Sequence, residues 1–251
     1  MASRSSARTD GCSSPVRFAK SATDFATDTD IDAEKAIRSV LRAARPADAY
    51  RGEELGAAGS ADRTWLVDPL CGTLNFAARS PLMAVNVALR ERGRVAVAAS
   101  ADPLTGEVFW TDGSAANVRR DGTDVALTPS AEYRLVDVNL DAPQPNADRF
   151  RAVTMLADPA FGTDFQPRVL STTLALAWVA AGRRAAYVTA GELRDSVHFA
   201  AGIALCEAAG CVVTGLVGQP LHTGVGGLVA AADGDTHAAL LDIIGRQFES
   251  G

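Results

Sequence analysis

The stretch "WLVDPLCGTLNFA", residues 65–77, decides how this chain reads. It opens as an apolar β-type run, turns at Pro69, and closes on Gly72 and small polar residues. Asp68 stands at the strand end, where a carboxylate can serve a cation. Three positions on, where a second carboxylate would complete such a site, the residue is Cys71. A helix starting in "CGTLNFA" would offer free backbone N–H groups to a phosphate.

Further carboxylates lie upstream. Asp24, Asp28, Asp30, Asp32 and Glu34 crowd one region, and Glu53 and Glu54 sit in "RGEELG". Oxygen ligands of this kind suit a hard divalent cation. Any one of them, taken alone, reads as a solvated loop residue. From the residues themselves the inference stops at a metal and phosphate site.

The rest of the chain bounds the answer. Its 251 residues suffice for one large domain or two intimate lobes with a sizeable core. A hydrophobic fraction of 47% and a mean hydropathy of +0.06 mark a globular chain. The net charge is -6, and there is no basic block, which argues against nucleic acid and anionic membranes as partners. Only Lys20 and Lys35 are lysines; arginine supplies the other basic charges. Apolar runs such as "LALAWVAAG" (174–182) are too short to span a bilayer. The opening "MASRSSARTDGCSSP" lacks the apolar core of a secretory signal, so the expectation is a cytoplasmic protein. The cysteines are Cys12, Cys71, Cys206 and Cys211, with no C-x-x-C pair; Cys206 and Cys211 read as small buried hydrophobes. His222 and His237 read as surface residues.

Helical spacing covers Ile31–Ala44, and "TWLVD" reads as a strand. "PLMAVNVALRERGRVAVAASADP" reads as two strands joined at "ERGR", and "GEVFWTDG", "ANVRRDGTDVAL" and "YRLVDVNL" continue the β pattern. The second half alternates: helix in "STTLALAWVAAG", strand in "AAYVTA", helix in "DSVHFAAGIALCEAAG", strands in "CVVTG" and "GLVAAA", and a last helix in "DTHAALLDIIGRQF". Such alternation predicts a layered α/β architecture. Residues 1–15 read as a mobile tail, 16–130 as an N-terminal α+β lobe and 131–251 as a C-terminal α/β lobe, the two lobes forming one compact unit.

The order and spacing of these motifs resemble the inositol monophosphatase family of Mg-dependent, lithium-sensitive sugar phosphatases. That family carries K…D-x-V-T-x-x-D-x-x-x-E, then G-E-E, D-P-I/L-D-G-T-x-N-F and W-D-x-A-A-G. Here Lys20, "DFATDTDIDAE" (24–34), "GEE" (52–54), "DPLCGTLNF" (68–76) and "HFAAG" (198–202) follow in that order. "DPLTGEVFWTDGSAANVRRDGTDVALTPS" (102–130) looks like the family's middle strands, and "RVLSTTLALAWVAAGRRAAYV" (168–188) like its R-x-x-G-S…A-A-G segment, with Leu170 for the usual glycine. The resemblance spans roughly residues 20–230, and several ordered motifs together are specific. It implies the layered αβαβα sandwich of the inositol monophosphatase and fructose bisphosphatase type, a small-molecule substrate and a homodimer.

Position by position, the resemblance implies that Glu53 holds a first metal and orients the attacking water, that Asp68 is shared between metals, and that Leu70 offers its carbonyl. Thr73 and Asp30 match the pair that helps activate water. Gly72, Thr73, Arg168 and Ser171 fall on the substrate side. The departures concern one metal. The second aspartate of D-P-I/L-D-G-T is Cys71, and the aspartate of W-D-x-A-A-G is His198 in a match without gaps. Placing Asp195 there instead needs a three-residue insertion.

A thiolate and an imidazole suit Zn better than Mg. Three explanations follow. The site is repurposed, needing no metal: Cys71, its pKa lowered at a helix N-terminus, is the nucleophile of an acyl-transfer or hydrolysis reaction, His198 the base and Asp195, one turn earlier, its orienting partner. Or the chain remains a phosphomonoesterase on a sugar or nucleoside phosphate, with a softer metal bound by Asp68, Cys71 and His198. Or it is an inactive pseudophosphatase. The sequence by itself leans to the first.

Overall fold

In the computed structural model, residues 16–20, 25–140 and 150–249 are described. The readings made above for residues 1–15, Cys12 and Asp24 lie outside them.

Strand β1 (Arg17–Ala19) pairs antiparallel with β2 (Phe25–Thr27), which leads into α1 (Asp28–Ala44). The helix starts where it does because Thr27 and Asp30 form a capping box, each side chain bonded to the other's backbone N–H. Then come β3 (Ala49–Gly52), β4 (Ala57–Ala58), β5 (Arg63–Cys71), the short α2 (Thr73–Ala77), β6 (Ala84–Glu91), β7 (Arg94–Ala101), β8 (Val108–Thr111), β9 (Ala116–Arg120) and β10 (Thr123–Ala126). They form one eight-stranded sheet in the order β10-β9-β8-β7-β6-β5-β3-β4.

After the turn that follows β10, the chain builds a second sheet. Its elements are β11 (Leu135–Val138), α3 (Ala152–Ala157), α4 (Pro159–Asp164), β12 (Gln166–Val169), α5 (Leu174–Ala180), β13 (Ala186–Thr189), α6 (Ala200–Ala209), β14 (Val212–Thr214), β15 (Leu228–Ala231) and α7 (Gly234–Glu249). The five strands run in the order β12-β11-β13-β15-β14.

The layers follow from side-chain alternation. On β13, Tyr187 faces a core shared with Phe109 and Val118 of the first sheet and with α5 and α6. Its neighbours Ala186 and Val188 face the opposite core, with Phe161 of α4 and Leu240 and Ile244 of α7. Strand β15 alternates the same way, Leu228 and Ala230 to one side and Val229 and Ala231 to the other. The second sheet is thus apolar on both faces, which is why "AAYV" and "LVAA" read as unbroken apolar runs. Helix α5 is apolar nearly all round because it lies between two sheets. With α1 outside the first sheet, the order is αβαβα, as expected.

Two readings need correction. The helix expected from Asp195 begins only at Ala200; Asp195 itself lies in a turn with φ +54°. His237 is buried rather than on the surface, its Nε2 2.8 Å from Thr214 Oγ1. Burial lowers its pKa. Among the described residues, no helix is long and apolar enough to cross a membrane.

Candidate active site

Five segments converge at the C-terminal end of β5. Asp68 lies on that strand and is fully buried. Its Oδ1 accepts the Leu70 N–H at 3.1 Å, and its Oδ2 lies 2.7 Å from His198 Nδ1. A bulge between Asp68 and Cys71 interrupts the pairing with β6 and brings the Cys71 thiol to the same side. Ligand atoms of Asp68, Cys71 and His198 all fall within 4.8 Å of one another. Residues 130 positions apart are therefore neighbours.

Glu53 joins them from the turn after β3. Its Oε2 lies 4.0 Å from His198 Nδ1 and is buried with no hydrogen-bond partner. The other oxygen accepts from Lys20 Nζ at 2.8 Å, and Lys20 also bonds Glu54. Burial, with the Asp68 carboxylate adding to it, raises the Glu53 pKa to about 8. On the other side of Asp68, the Thr73 hydroxyl donates to Asp30 Oδ1 at 2.9 Å and also faces the Leu70 carbonyl at 3.2 Å. Asp30 is itself fully buried on α1.

Gly72 makes the turn into α2 possible. It has φ +101°, and a Cβ there would lie 2.5 Å from the Leu82 carbonyl oxygen. Gly72→Ala meets both strain and overlap. The expected result is a loss of about 1–3 kcal/mol in urea unfolding, with Thr73 displaced from Asp30.

The electrostatics differ from those expected of a cysteine nucleophile. Cys71 ends β5, and Gly72, not Cys71, caps α2, a helix of only 5 residues. Burial pushes the Cys71 thiol pKa up, and the Asp68 charge adds to this; hydrogen bonding to His198 offsets only part. The expected fall is thus a rise. Burial works against charge on His198, but Asp68 and then Cys71 outweigh it and hold its pKa at about 11. Asp195 does not orient His198. It pairs with Arg90 of β6, and Asp68 takes that place.

The remaining expectations divide. Ser171 comes to the site's edge, its carbonyl accepting from Asn75 Nδ2 of α2 at 2.8 Å. Arg168 is exposed on β12; it donates to the Pro167 carbonyl, and its charge acts on Asp137 of the second sheet. Glu34 matches the last position of the D-x-V-T-x-x-D-x-x-x-E motif, to which the sequence assigns no role, and it is fully buried. Its spacing of four from Asp30 on a helix was the signal available, since such residues share a face.

The donor set fits a divalent cation on two grounds. Glu53 Oε2 is a buried oxygen without a partner, beside the fully buried Asp68. Asp68, Cys71 and His198 together offer oxygen, sulfur and nitrogen at one point, the mixture zinc accepts and magnesium does not.

The family model described as "Inositol monophosphatase family" matches residues 3–247. This chain belongs to the inositol monophosphatase family. A curated member, inositol-1-monophosphatase of Caulobacter vibrioides, is 31% identical over 233 residues, covering 89% of this chain and 88% of its own. The Nus factor SuhB of Escherichia coli is 33% identical over 216 residues, 84% of this chain and 79% of that one. Among solved structures, Mycobacterium tuberculosis SuhB superposes with a TM-score of 0.69 at 28% identity, covering 87% of this chain and 84% of its own. The extragenic suppressor protein suhB of Bartonella henselae reaches a TM-score of 0.78 at 24% identity, covering 94% and 88%, a likeness of fold. Among the described residues, Asp68, Cys71 and His198 form a group that could hold a metal ion, and the thiol of Cys71 is unusual among such ligands in this family.

Proposed function

We propose that this family member is a phosphomonoesterase acting on a small sugar- or inositol-type phosphate, as a cytoplasmic homodimer, with a softer divalent metal than magnesium. The observation that carries this reading is the buried, unpartnered Glu53 Oε2 facing Asp68 beside the Asp30–Thr73 hydrogen bond. Glu53, Asp68 and the Leu70 carbonyl would hold a cation, and Asp68, Cys71 and His198 would hold zinc. A cation there would supply charge neutralisation for the phosphoryl group and a lowered pKa for water.

The chain's own residues have the remaining roles. Asp30 holds the Thr73 hydroxyl by accepting its hydrogen bond, which leaves the Thr73 oxygen lone pairs to orient a water. Burial and Asp68 raise the Glu53 pKa to about 8, so a cation beside it would hold its carboxylate ionised and able to orient that water. Gly72 and Thr73 would hold the phosphate, and Ser171 is tied to the same helix through Asn75.

Elemental analysis of the purified protein, beside phosphate release from inositol-1-phosphate with Mg, Mn or Zn, tests this reading. The expected result is metal-dependent release that a chelator abolishes, and near-stoichiometric zinc that is lost in Cys71→Ala and in His198→Ala. Zinc must displace protons from both side chains, so its affinity rises with pH, about tenfold per unit for each proton released. Release that chelators leave untouched would end the proposal.

A second reading has one observation in its favour: Asp68, His198 and Cys71 stand in contact in the order of a Cys–His–Asp constellation. In it Cys71 attacks an acyl-type substrate and His198 is the base. The raised thiol and the protonated imidazole weigh against it at neutral pH. Rapid alkylation of Cys71 by iodoacetamide at pH 7, together with no metal uptake, would favour it.

A further inference from the structure

Glu53 and Glu54 lie on a tight turn, and the turn is held from three sides. Its neck closes through Gly52 N–H to the Gly56 carbonyl at 3.0 Å. Its second side is β5, where the Val67 carbonyl, next to Asp68, accepts the Glu53 N–H at 3.1 Å. The third side is Glu34 of α1. Its Oε2 accepts the Glu54 N–H at 2.6 Å, and its Oε1 accepts the Leu55 N–H and the Tyr50 hydroxyl, both at 3.0 Å. Glu34 is fully buried, so these three donors are what make its carboxylate tolerable there.

Gly52 is the space this arrangement needs. A Cβ at position 52 would lie 1.7 Å from Glu34 Oε1 and 2.8 Å from the Tyr50 ring. One turn earlier on the same helix face, Asp30 accepts from Thr73. Helix α1 therefore fixes both flanks of the site: the Thr73 hydroxyl through Asp30, and the Glu53 turn through Glu34.

We propose that Glu34 is a positioning residue that holds the Glu53–Leu55 turn by its backbone and so aims the Glu53 carboxylate at Asp68 and His198. Its effect on turnover rests on the phosphatase reading; its effect on the turn does not. Glutamine at position 34 keeps the size and one acceptor oxygen. Its amide nitrogen must then face a donor, either the Glu54 N–H or the pair at Oε1. Alanine at position 52 pushes the carboxylate away without touching its chemistry.

The test uses the full chain as wild type and as Glu34→Gln, Gly52→Ala, Tyr50→Phe and Asp137→Asn. The last changes a buried carboxylate of the other sheet and serves as a stability control. Three quantities are read: amide hydrogen exchange at Glu54 and Leu55, the dissociation constant for zinc alone, and kcat and KM on inositol-1-phosphate. Glu34→Gln and Gly52→Ala are expected to speed exchange at both amides by about tenfold or more. Zinc binding should weaken by about 10–100-fold, because the Glu53 carboxylate lies 4.0 Å from His198 Nδ1 and adds its charge beside the zinc donors. kcat should drop by about 10²-fold while KM stays within about twofold. Tyr50→Phe removes one of three bonds and should give a small fraction of these effects. Asp137→Asn should lower the Tm and move none of them.

A Glu34→Gln protein that loses Tm like Asp137→Asn but keeps wild-type exchange at Glu54 and Leu55 would overturn the proposal. So would retained zinc affinity and kcat in a protein whose turn has loosened. If wild type itself takes up no zinc and releases no phosphate, the phosphatase reading falls, and amide exchange at Glu54 and Leu55 alone decides whether Glu34 holds the turn.

Discussion

Replacing Cys71 and His198 together by aspartate is expected to raise magnesium-dependent phosphate release by about 10²-fold, the scale on which losing one charge-stabilising group slows an enzyme. The reason lies in the donor set. Asp68 now faces a thiol and a protonated imidazole, and neither offers magnesium a hard oxygen. The double variant supplies two carboxylates at the end of β5, as the family motifs D-P-I/L-D-G-T and W-D-x-A-A-G do. The same change removes the 2.7 Å contact between Asp68 and His198. Without metal the variant therefore crowds three carboxylates near Glu53, and its Tm falls. Magnesium should restore it, so the Tm becomes magnesium-dependent where that of wild type is not. Phosphate release unchanged in the double variant, despite magnesium uptake, would mean that these positions do not limit the chemistry.

The second large effect is expected far from the site. Arg184 donates through Nε to both oxygens of the fully buried Asp137, at 3.0 and 2.9 Å, and its guanidinium lies over the Trp178 ring. Arg184→Ala leaves a carboxylate buried without its partner, a change that costs about 3–5 kcal/mol. That is a large share of a typical folding stability of about 5–15 kcal/mol. The pH dependence has a definite sign. Burial already raises the Asp137 pKa to about 6, against the pull of Arg184. A carboxyl raised in the folded state stabilises most below its unfolded pKa of 3.8, and that contribution is lost as pH rises through the folded value. Without Arg184 the folded value climbs further. Urea unfolding of Arg184→Ala should therefore show a small deficit near pH 5 that grows as pH rises above about 6 and is complete only above the variant's own folded value, and adding Asp137→Asn should relieve it. A deficit independent of pH would assign the loss to packing on Trp178 instead.

The effects are separable because the two sheets contribute different things. The first sheet, with α1, carries the carboxylates of the candidate site on strand ends and turns. The second supplies the apolar two-faced layer that holds α5 and α6 against it. His198 crosses over from the turn before α6 to meet Asp68, and the Ser171 carbonyl crosses to Asn75 of α2.

Much of this was legible along the chain. The period-two and period-3.6 patterns placed α1, β5 to β7, β13, β15 and α7, because those elements bury one face or both against neighbours, and burial writes itself into residue type. The ordered motifs also named the site segments, since Gly72, Asp68 and Glu53 each answer a local demand of turn or strand end. Their departure at Cys71 and His198 was visible for the same reason. What tertiary structure alone decided was pairing. Whether Asp68 or Asp195 meets His198 depends on where α6 begins. A left-handed residue at position 195 and an ion pair to Arg90 settle that, and no local pattern announces either. Whether Cys71 carries a lowered or a raised pKa depends on how deeply it is buried and on the Asp68 charge beside it, quantities set by packing. Glu34 likewise filled a motif position without a role of its own. It became a structural anchor only because Gly52 left room for its carboxylate and the 53–55 turn presented N–H groups to it. Local sequence determines which elements form and which chemistry each carries. Electrostatics and hydrogen-bond partnership are sums over neighbours distant in the chain, so they exist only once the fold has brought those neighbours together.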